Sequence, residues 1–473
     1  MAPPTMLLQA VTAFLFLSAI SASPFIKLAP APPSMDDFYS LPKGYEKASP
    51  GDILRHRKPP GPLAAFGDIP LNLHSSYQIE FRTTNNQGKP DTAVTTILIP
   101  KSANNSRLIS YQDFEDSSSV NCATSYALHQ RKKFNTGLSK SDVLFEAGLL
   151  NQGYYVNLPD YEGHKAAFGS GPQAGYATLD SIRAVLKSSK FTGIAERDVD
   201  ITMWGYSGGS IPTEWAAEMQ PDYAPELKIL GAAVGVIIGT SMTPSTSLST
   251  THHTLDSVSQ VSSACTKPSK AKKKFSKKDI LSYFRSGAGF LNKPLVKDIV
   301  ERAGIMGKHG VPQIPMYFYQ AVQDEVLPIK SNDELIDGHC NKNINSLQYV
   351  RHKVGNHAAT SFAGDGGANA FLKDRYNGVF ALKGCHKSDV LLADLDQKNL
   401  EGFGDTIVGL LGSLTTAPLG GDLGNAVDGA EDKVKDKITG LFGADDDEKK
   451  DTEGEKKDDD LGSKVKDITR GWW

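Results

Sequence analysis

The stretch Asp200–Trp215, Asp-Ile-Thr-Met-Trp-Gly-Tyr-Ser-Gly-Gly-Ser-Ile-Pro-Thr-Glu-Trp, constrains the fold more than any other part of the chain. A short apolar run over Ile201–Trp204 stops at Gly205-Tyr206-Ser207-Gly208-Gly209, and helix-forming residues continue through Ala217. That order spells strand, sharp turn, helix, with Ser207 at the apex of a Gly-x-Ser-x-Gly. A serine on so tight a turn needs neighbours without bulky side chains, because the two backbones nearly touch there. The helix N-terminus behind it offers free N–H groups and a positive dipole end to a developing oxyanion. In a chain with 44 glycines the pentapeptide alone does not separate an ordinary turn from a nucleophile elbow. The flanking strand and helix favour the elbow.

The rest of the chain supplies a sheet for it. Tyr77–Thr83 alternates in polarity, Thr92–Ile99 is β-branched, and Arg107–Gln112 is a third short strand. Asn85-Asn86-Gln87-Gly88 joins the first two as a hairpin-like turn. Ser141–Asn151 reads as a helix, Tyr154–Leu158 as a buried strand and Ala174–Lys187 as another helix. The near-continuous apolar run Leu227–Ile238 suits a parallel strand covered on both faces. Ile314–Ala321 and Gln348–Val354 return to a strand pattern. Strands alternating with helices in this way predict a mostly parallel, doubly wound α/β sheet.

The boundaries follow from shifts in composition. Residues 1–22 read as a secretory signal peptide, apolar from Met6 to Ile20 and too short to span a bilayer. Residues 23–63 form a Pro-rich arm with little structure of its own, and 64–239 the first part of the core. The segment 240–311, too long for a loop, is expected to be a helical cap insertion. Its Lys267–Lys278 stretch holds seven lysines in twelve residues and reads as a solvated face. Residues 312–404 complete the core, and 405–473 make a Gly-rich and charged tail, disordered where Asp, Glu and Lys dominate.

Charge excludes one class of partner. The net charge is −3, and the tail from Glu431 to Trp473, with 14 acidic and 10 basic residues, accounts for it. The body is near neutral and has no global basic field for nucleic acid. Beyond the leader, no segment is apolar and long enough to cross a bilayer. Four cysteines, Cys122, Cys265, Cys340 and Cys385, none in a C-x-x-C pattern, fit two disulfides in an exported protein, in one of three pairings. Asn104-Asn105-Ser106 is an N-glycosylation sequon in a polar turn. No metal site is expected, since His252-His253 is too local, and no cofactor is implied.

A serine nucleophile needs a base, an acid to orient that base, and an oxyanion hole. On this kind of elbow the partners follow in the order Ser, acid, His. The strand ending at Ala321 runs into Val322-Gln323-Asp324-Glu325, which puts a carboxylate directly after a strand; Asp324 is the candidate and Glu325 the weaker neighbour. The next strand is followed by Gly355-Asn356-His357, which singles out His357 from 11 histidines; His352 lies within that strand and His339 before it.

With these pieces in place the sequence resembles the secreted lipase family of fungi, capped α/β-hydrolases. The matching stretches are Tyr-Gln-Asp-Phe-Glu-Asp-Ser from Tyr111, Pro-Asp-Tyr-Glu-Gly from Pro159, and Leu-Asp-Ser-Ile-Arg-Ala from Leu179. Gly-Tyr-Ser-Gly-Gly from Gly205, Gln-Asp-Glu-Val from Gln323 and Gly-Asn-His from Gly355 complete them, over roughly residues 40–400. The resemblance implies Ser207, Asp324 and His357 as a catalytic triad. It implies an oxyanion hole from the Gly208 N–H and an acidic residue after the third strand, Asp116 first and Asp113 second. It pairs Cys122 with Cys265 and Cys340 with Cys385. The lysine run and the charged tail depart from the family's usual ending.

The expectation is a secreted, monomeric serine hydrolase acting on acylglycerol esters at an oil–water interface. The alternatives are a short-chain carboxylesterase or acyltransferase, a serine peptidase, or a secreted binding protein that does no chemistry.

Overall fold

β-branched and aromatic runs separated by Gly, Pro and Asn build a ten-stranded sheet in the computed structural model, which describes residues 30–65, 69–129, 139–236 and 286–391. The strands are β1 (Ile53–Arg57), β4 (Leu73–Thr84), β5 (Pro90–Pro100), β6 (Arg107–Gln112), β7 (Tyr155–Pro159), β8 (Asp200–Tyr206), β9 (Ile229–Gly235), β10 (Met316–Ala321), β11 (Ser346–His352) and β12 (Gly384–Val390). Two-residue strands β2 (Ala64–Ala65) and β3 (Ile69–Pro70) form a separate ribbon. The spatial order is β1-β4-β5-β7-β6-β8-β9-β10-β11-β12. From β7 onward all neighbours are parallel, while β1, β4, β5 and β7 pair antiparallel.

One property of this order decides where a site can form. From β6 the chain moves outward to β7; from β8 it moves the other way to β9. The loops leaving the carboxyl ends of adjacent β6 and β8 therefore diverge and open a crevice, the switch point at which doubly wound sheets bind ligands. Gln112 pairs with Gly205 in the register of these strands, so the residues after each begin side by side.

Helices α1 (Ser139–Asn151), α2 (Gly171–Leu186), α3 (Ser210–Tyr223), α4 (Pro294–Ala303), α5 (Ile329–Asn341), α6 (His357–Ala363) and α7 (Asp365–Tyr376) cover both faces. One core unites Ile97, Leu108, Ile201, Met203 and Phe318 with α2, α3 and α5 through Leu179, Ile182, Trp215 and Leu335. The other packs Ile109, Tyr111, Trp204 and Tyr319 against α1 and α7 through Phe145, Leu149 and Phe371. Burial on both faces is why these parallel strands read as continuous apolar runs. Gly171 sits where an added methyl would lie 1.9 Å from the Trp215 ring, so α2 and α3 approach closely only with glycine there.

Two sequence expectations change. The arm over residues 23–63 is not without secondary structure: β1 lies within it and edges the sheet, and Arg55 forms an ion pair with the buried Glu80. β12 was not anticipated. Gly-Cys-His-Lys-Ser-Asp-Val has no apolar alternation and is mostly exposed, so an edge position and backbone pairing to β11 hold it. Cys340 of α5 is disulfide-bonded to Cys385 of β12, which ties that edge down. Cys122 is also disulfide-bonded; Cys265 lies outside the described residues. So do the leader, the lysine run, His252-His253 and the tail beyond Leu391. Of the expected cap, residues 286–311 are described and hold α4, whose Leu295 and Ile299 are exposed. Among the described residues no helix is long and apolar enough to cross a membrane.

Candidate active site

The sharp turn after β8 is built as its glycines require. A methyl on Gly205 would lie 2.0 Å from the Gly209 carbonyl oxygen, and one on Gly209 would lie 1.9 Å from that of Gln112. Ser207 itself is held at φ 52°, a left-handed conformation that a serine adopts only when its surroundings force it. It is followed at once by α3.

Three strand ends bring the other residues to it. Ser207 Oγ lies 2.9 Å from His357 Nε2, and His357 Nδ1 lies 2.9 Å from Asp324 Oδ2 and 3.2 Å from Oδ1. The Asp324 side chain is fully buried and its Oδ1 also accepts from the backbone N–H groups of Val326 and Leu327, at 2.9 and 2.7 Å. Those bonds fix the carboxylate, and through it the tautomer with hydrogen on Nδ1.

The His357 backbone is fixed as well. It opens α6, whose N-cap Asn356 accepts from Ala359 N at 2.8 Å, while Gly355 turns the chain at φ 126°. Glu325 accepts the His357 N–H at 2.9 Å, and the Tyr206 hydroxyl donates to the His357 carbonyl at 2.5 Å. Glu325 thus holds the backbone, while Asp324 meets the ring. Sequence reasoning missed Asn356 and Tyr206 as supports. The first carries the signature of an Asn before a helix; the second is visible only in three dimensions.

The loop after β6 closes the other side. Asp116, at φ 44°, sets its carboxyl against Gly208: a methyl there would lie 1.9 Å from Asp116 Oδ1. Asp116 is exposed, although Glu115 and Ser119 on either side of it in the loop are buried. Desolvation by the surrounding loop pushes its carboxyl pKa up to about 6, with His357 acting the other way. Its exposure to solvent screens part of this effect. Asp113 lies behind the loop, 1% exposed, its carbonyl accepting from the Tyr161 hydroxyl at 2.7 Å. Of the two acids, Asp116 is the one beside Gly208.

One group with metal-ligand chemistry occurs among the described residues. Glu214 and Glu218 of α3 and His339 of α5 offer atoms within 4.8 Å of one another. Their bonds make a clamp: His339 Nε2 meets Glu214 Oε1 at 2.7 Å, and Glu218 accepts from the N–H groups of Gly307 and, at 2.9 Å, His309. The site supports α3 from behind. Asn104 is exposed, and its Oδ1 accepts from Ser106 N and Oγ at 3.1 and 2.8 Å, which leaves the sequon open on a turn.

A mostly parallel sheet with a serine on the turn after β8, at the switch point, defines an α/β-hydrolase. The solved structures agree on the fold: Candida antarctica lipase A in its closed state superposes with a TM-score of 0.64 at 22% identity, over 83% of this chain and 99% of that one. The family model for secretory lipases matches residues 128–246 and 244–384. The chain belongs to the secretory lipase family and is a lipase-type carboxylic ester hydrolase. Lipase A of Arthroderma benhamiae is 36% identical over 84% of this chain and 91% of its own length. Lipase 1 of Candida albicans is 33% identical over 92% and 99%. A trichothecene C-3 esterase of Fusarium sporotrichioides is 34% identical over 80% and 92%.

Proposed function

We propose that this protein is an exported lipase hydrolysing acylglycerol esters through an acyl-enzyme on Ser207. The observation that carries the reading is the unbroken chain Ser207 Oγ, His357, Asp324, each link at 2.9 Å. Ser207 Oγ attacks the ester carbonyl carbon while His357 Nε2 takes its proton. Asp324 holds the imidazole and balances the imidazolium charge. The carbonyl oxygen, now anionic, accepts from the Gly208 N–H and from the protonated Asp116 carboxyl. Collapse breaks the ester C–O bond, and His357 gives its proton to the departing alcohol. Water, deprotonated by His357, then attacks the acyl carbon and frees the acid and Ser207.

Asp116 sets the pH dependence. Below about pH 6 its carboxyl keeps the proton and donates; as pH rises through that value the donor becomes a charge facing an oxyanion. Activity therefore leans toward acid.

Hydrolysis of p-nitrophenyl palmitate and acetate by wild type and Ser207→Ala tests the reading. Loss of turnover in the variant, with the long ester preferred by wild type, supports it. Undiminished hydrolysis in Ser207→Ala removes it. A relative named as an esterase rather than a lipase favours a second reading, that of a short-chain carboxylesterase. Preference for the acetate over the palmitate selects that one. Glu325, which accepts the His357 N–H, and Asp113, whose carbonyl accepts from the Tyr161 hydroxyl, act as supports of the backbone and loop.

A further inference from the structure

The loop that carries Asp116 rests on an unusual foundation. Asp113 and Glu115 of the loop, Asp142 and Glu146 of α1, and Asp160 and Glu162 after β7 are each 5% exposed or less. The α1 pair is spaced i, i+4 and so faces the loop from one side of the helix; Asp160 and Glu162 flank Tyr161 on the other. Asp142 accepts from the Tyr111 hydroxyl and the Phe114 N–H, both at 3.0 Å, and Asp160 from Ser125 N and Oγ at 2.8 and 2.6 Å. The other four have no such satisfaction. Both carboxyl oxygens of Asp113, Glu146 and Glu162, and one of Glu115, lack a donor in good geometry; Thr124 and the Ser117 N–H are the neutral groups beside them. Instead the carboxyls meet each other, Asp113 with Glu146 and Glu115 with Glu162.

The charges around the cluster give no relief. Glu80 and His164 border the same small cavity of ≈ 30 Å³ as Glu115, Asp160 and Glu162, but they are engaged by Arg55 and Asp91. Tyr39 bonds to Ser125 and adds no positive charge, and His357 faces Asp116. Among the described residues no lysine or arginine is paired with any of the six. Two carboxylates in contact and out of water cannot both be charged; such a pair keeps one proton between them.

We propose that two proton-sharing carboxyl pairs, Asp113–Glu146 and Glu115–Glu162, position the oxyanion loop, so that Asp116 meets Gly208 only while those pairs hold their protons. The inference rests on the catalytic reading above and adds to it four positioning residues and a second origin for alkaline inactivation. Burial first, and neighbouring acids second, hold Glu115, Glu146 and Glu162 well above the usual carboxylate range. Burial likewise brings Asp113 and Asp160 to about 7. The sign follows. Carboxyls whose folded pKa is raised bind protons on folding, so their ionisation weakens the fold as pH climbs from about 4 through about 7 and above. Losing the shared proton puts two charges in contact, and the loop moves away.

The test replaces the proton by a permanent N–H donor, as Glu146→Gln and Glu162→Gln in the full-length protein. Each is made alone and in the Asp116→Asn background. Ester hydrolysis is followed chromatographically from pH 4 to pH 9. At pH 5 each variant should keep kcat/KM within about threefold of its parent. Because ionisation of Asp116 governs the first decline, the lock is read in the Asp116→Asn background, where the alkaline limb should move up by about one pH unit, a tenfold gain on that limb. A shift seen only with Asp116 present means that the glutamates act on its charge alone, and the lock is overturned while the catalytic reading stands. No shift in either variant overturns it as well. Turnover by Ser207→Ala instead removes the reading beneath it. Should the glutamine variants fail to accumulate, wild type decides by amide hydrogen exchange over residues 113–119. Protection lost between pH 5 and pH 8, beyond the intrinsic base-catalysed rise, supports the lock; protection retained overturns it.

Discussion

Two aspartates flank the Ser207–His357 pair and are held in opposite ways. Asp324 receives two backbone N–H groups from its own turn and an imidazole from the neighbouring strand end. Asp116 meets Gly208 on a loop backed by other acids. One carboxyl is surrounded by protein donors and suited to accept; the other meets no backbone N–H pair of its own turn, and desolvation raises its pKa so that it is suited to keep a proton. The same side chain thus serves as acceptor on one side of the nucleophile and as donor on the other, and local donor supply makes the difference. The supports differ too. Asp324 and His357 are fixed within a few residues of themselves, whereas the Asp116 loop depends on α1 and the residues after β7.

The largest effect tests the half with local supports. Ser207→Ala should lower kcat for ester hydrolysis by about 10⁴- to 10⁶-fold, with the fold unchanged by circular dichroism. On the opposite side Asp116→Ala removes one oxyanion donor and should cost about 10²-fold in kcat with little change in KM. Equal losses at the two positions would erase the asymmetry. Asp116→Asn sharpens it: the amide keeps an N–H, so activity at pH 5 should survive and the part of the decline that begins near pH 6 should vanish from the pH–rate profile. Tyr161→Phe deletes a bond to the Asp113 carbonyl and an acceptor for the Glu115 N–H. A loss of about 1 kcal/mol of loop stability should appear as a several-fold fall in kcat, with the thermal midpoint lowered by a few degrees. The smallest effect belongs to Asn356→Ala. Loss of this N-cap should cost about 1 kcal/mol locally, read as a slightly lower thermal midpoint and a modest drop in kcat.

The triad half was legible because each residue carries its own punctuation. Gly205-Tyr206-Ser207-Gly208-Gly209, Gln323-Asp324-Glu325 and Gly355-Asn356-His357 each close a strand-like run, and strand ends on one edge of a parallel sheet converge. The oxyanion half was legible only through resemblance. Asp113 and Asp116 could not be ranked from the residues, since what separates them is contact with Gly208 against burial behind the loop. β1 and β12 escaped because edge strands can be held by backbone pairing, and β12 is mostly exposed. Nothing in Asp113, Glu115, Asp142, Glu146, Asp160 or Glu162 as letters announces a cluster; three separate segments bring them together.

Periodicity, glycine placement and chain order were enough for the α/β class, the elbow and the order serine, acid, histidine. These are short-range properties, dictated by backbone sterics and by which faces must be buried. Which aspartate faces the oxyanion, where the unpaired acids gather and how the edges of the sheet are closed were decided by the fold. Charge and desolvation depend on what packs against a group from elsewhere in the chain, and that neighbourhood exists only once β6, β7 and β8 lie side by side.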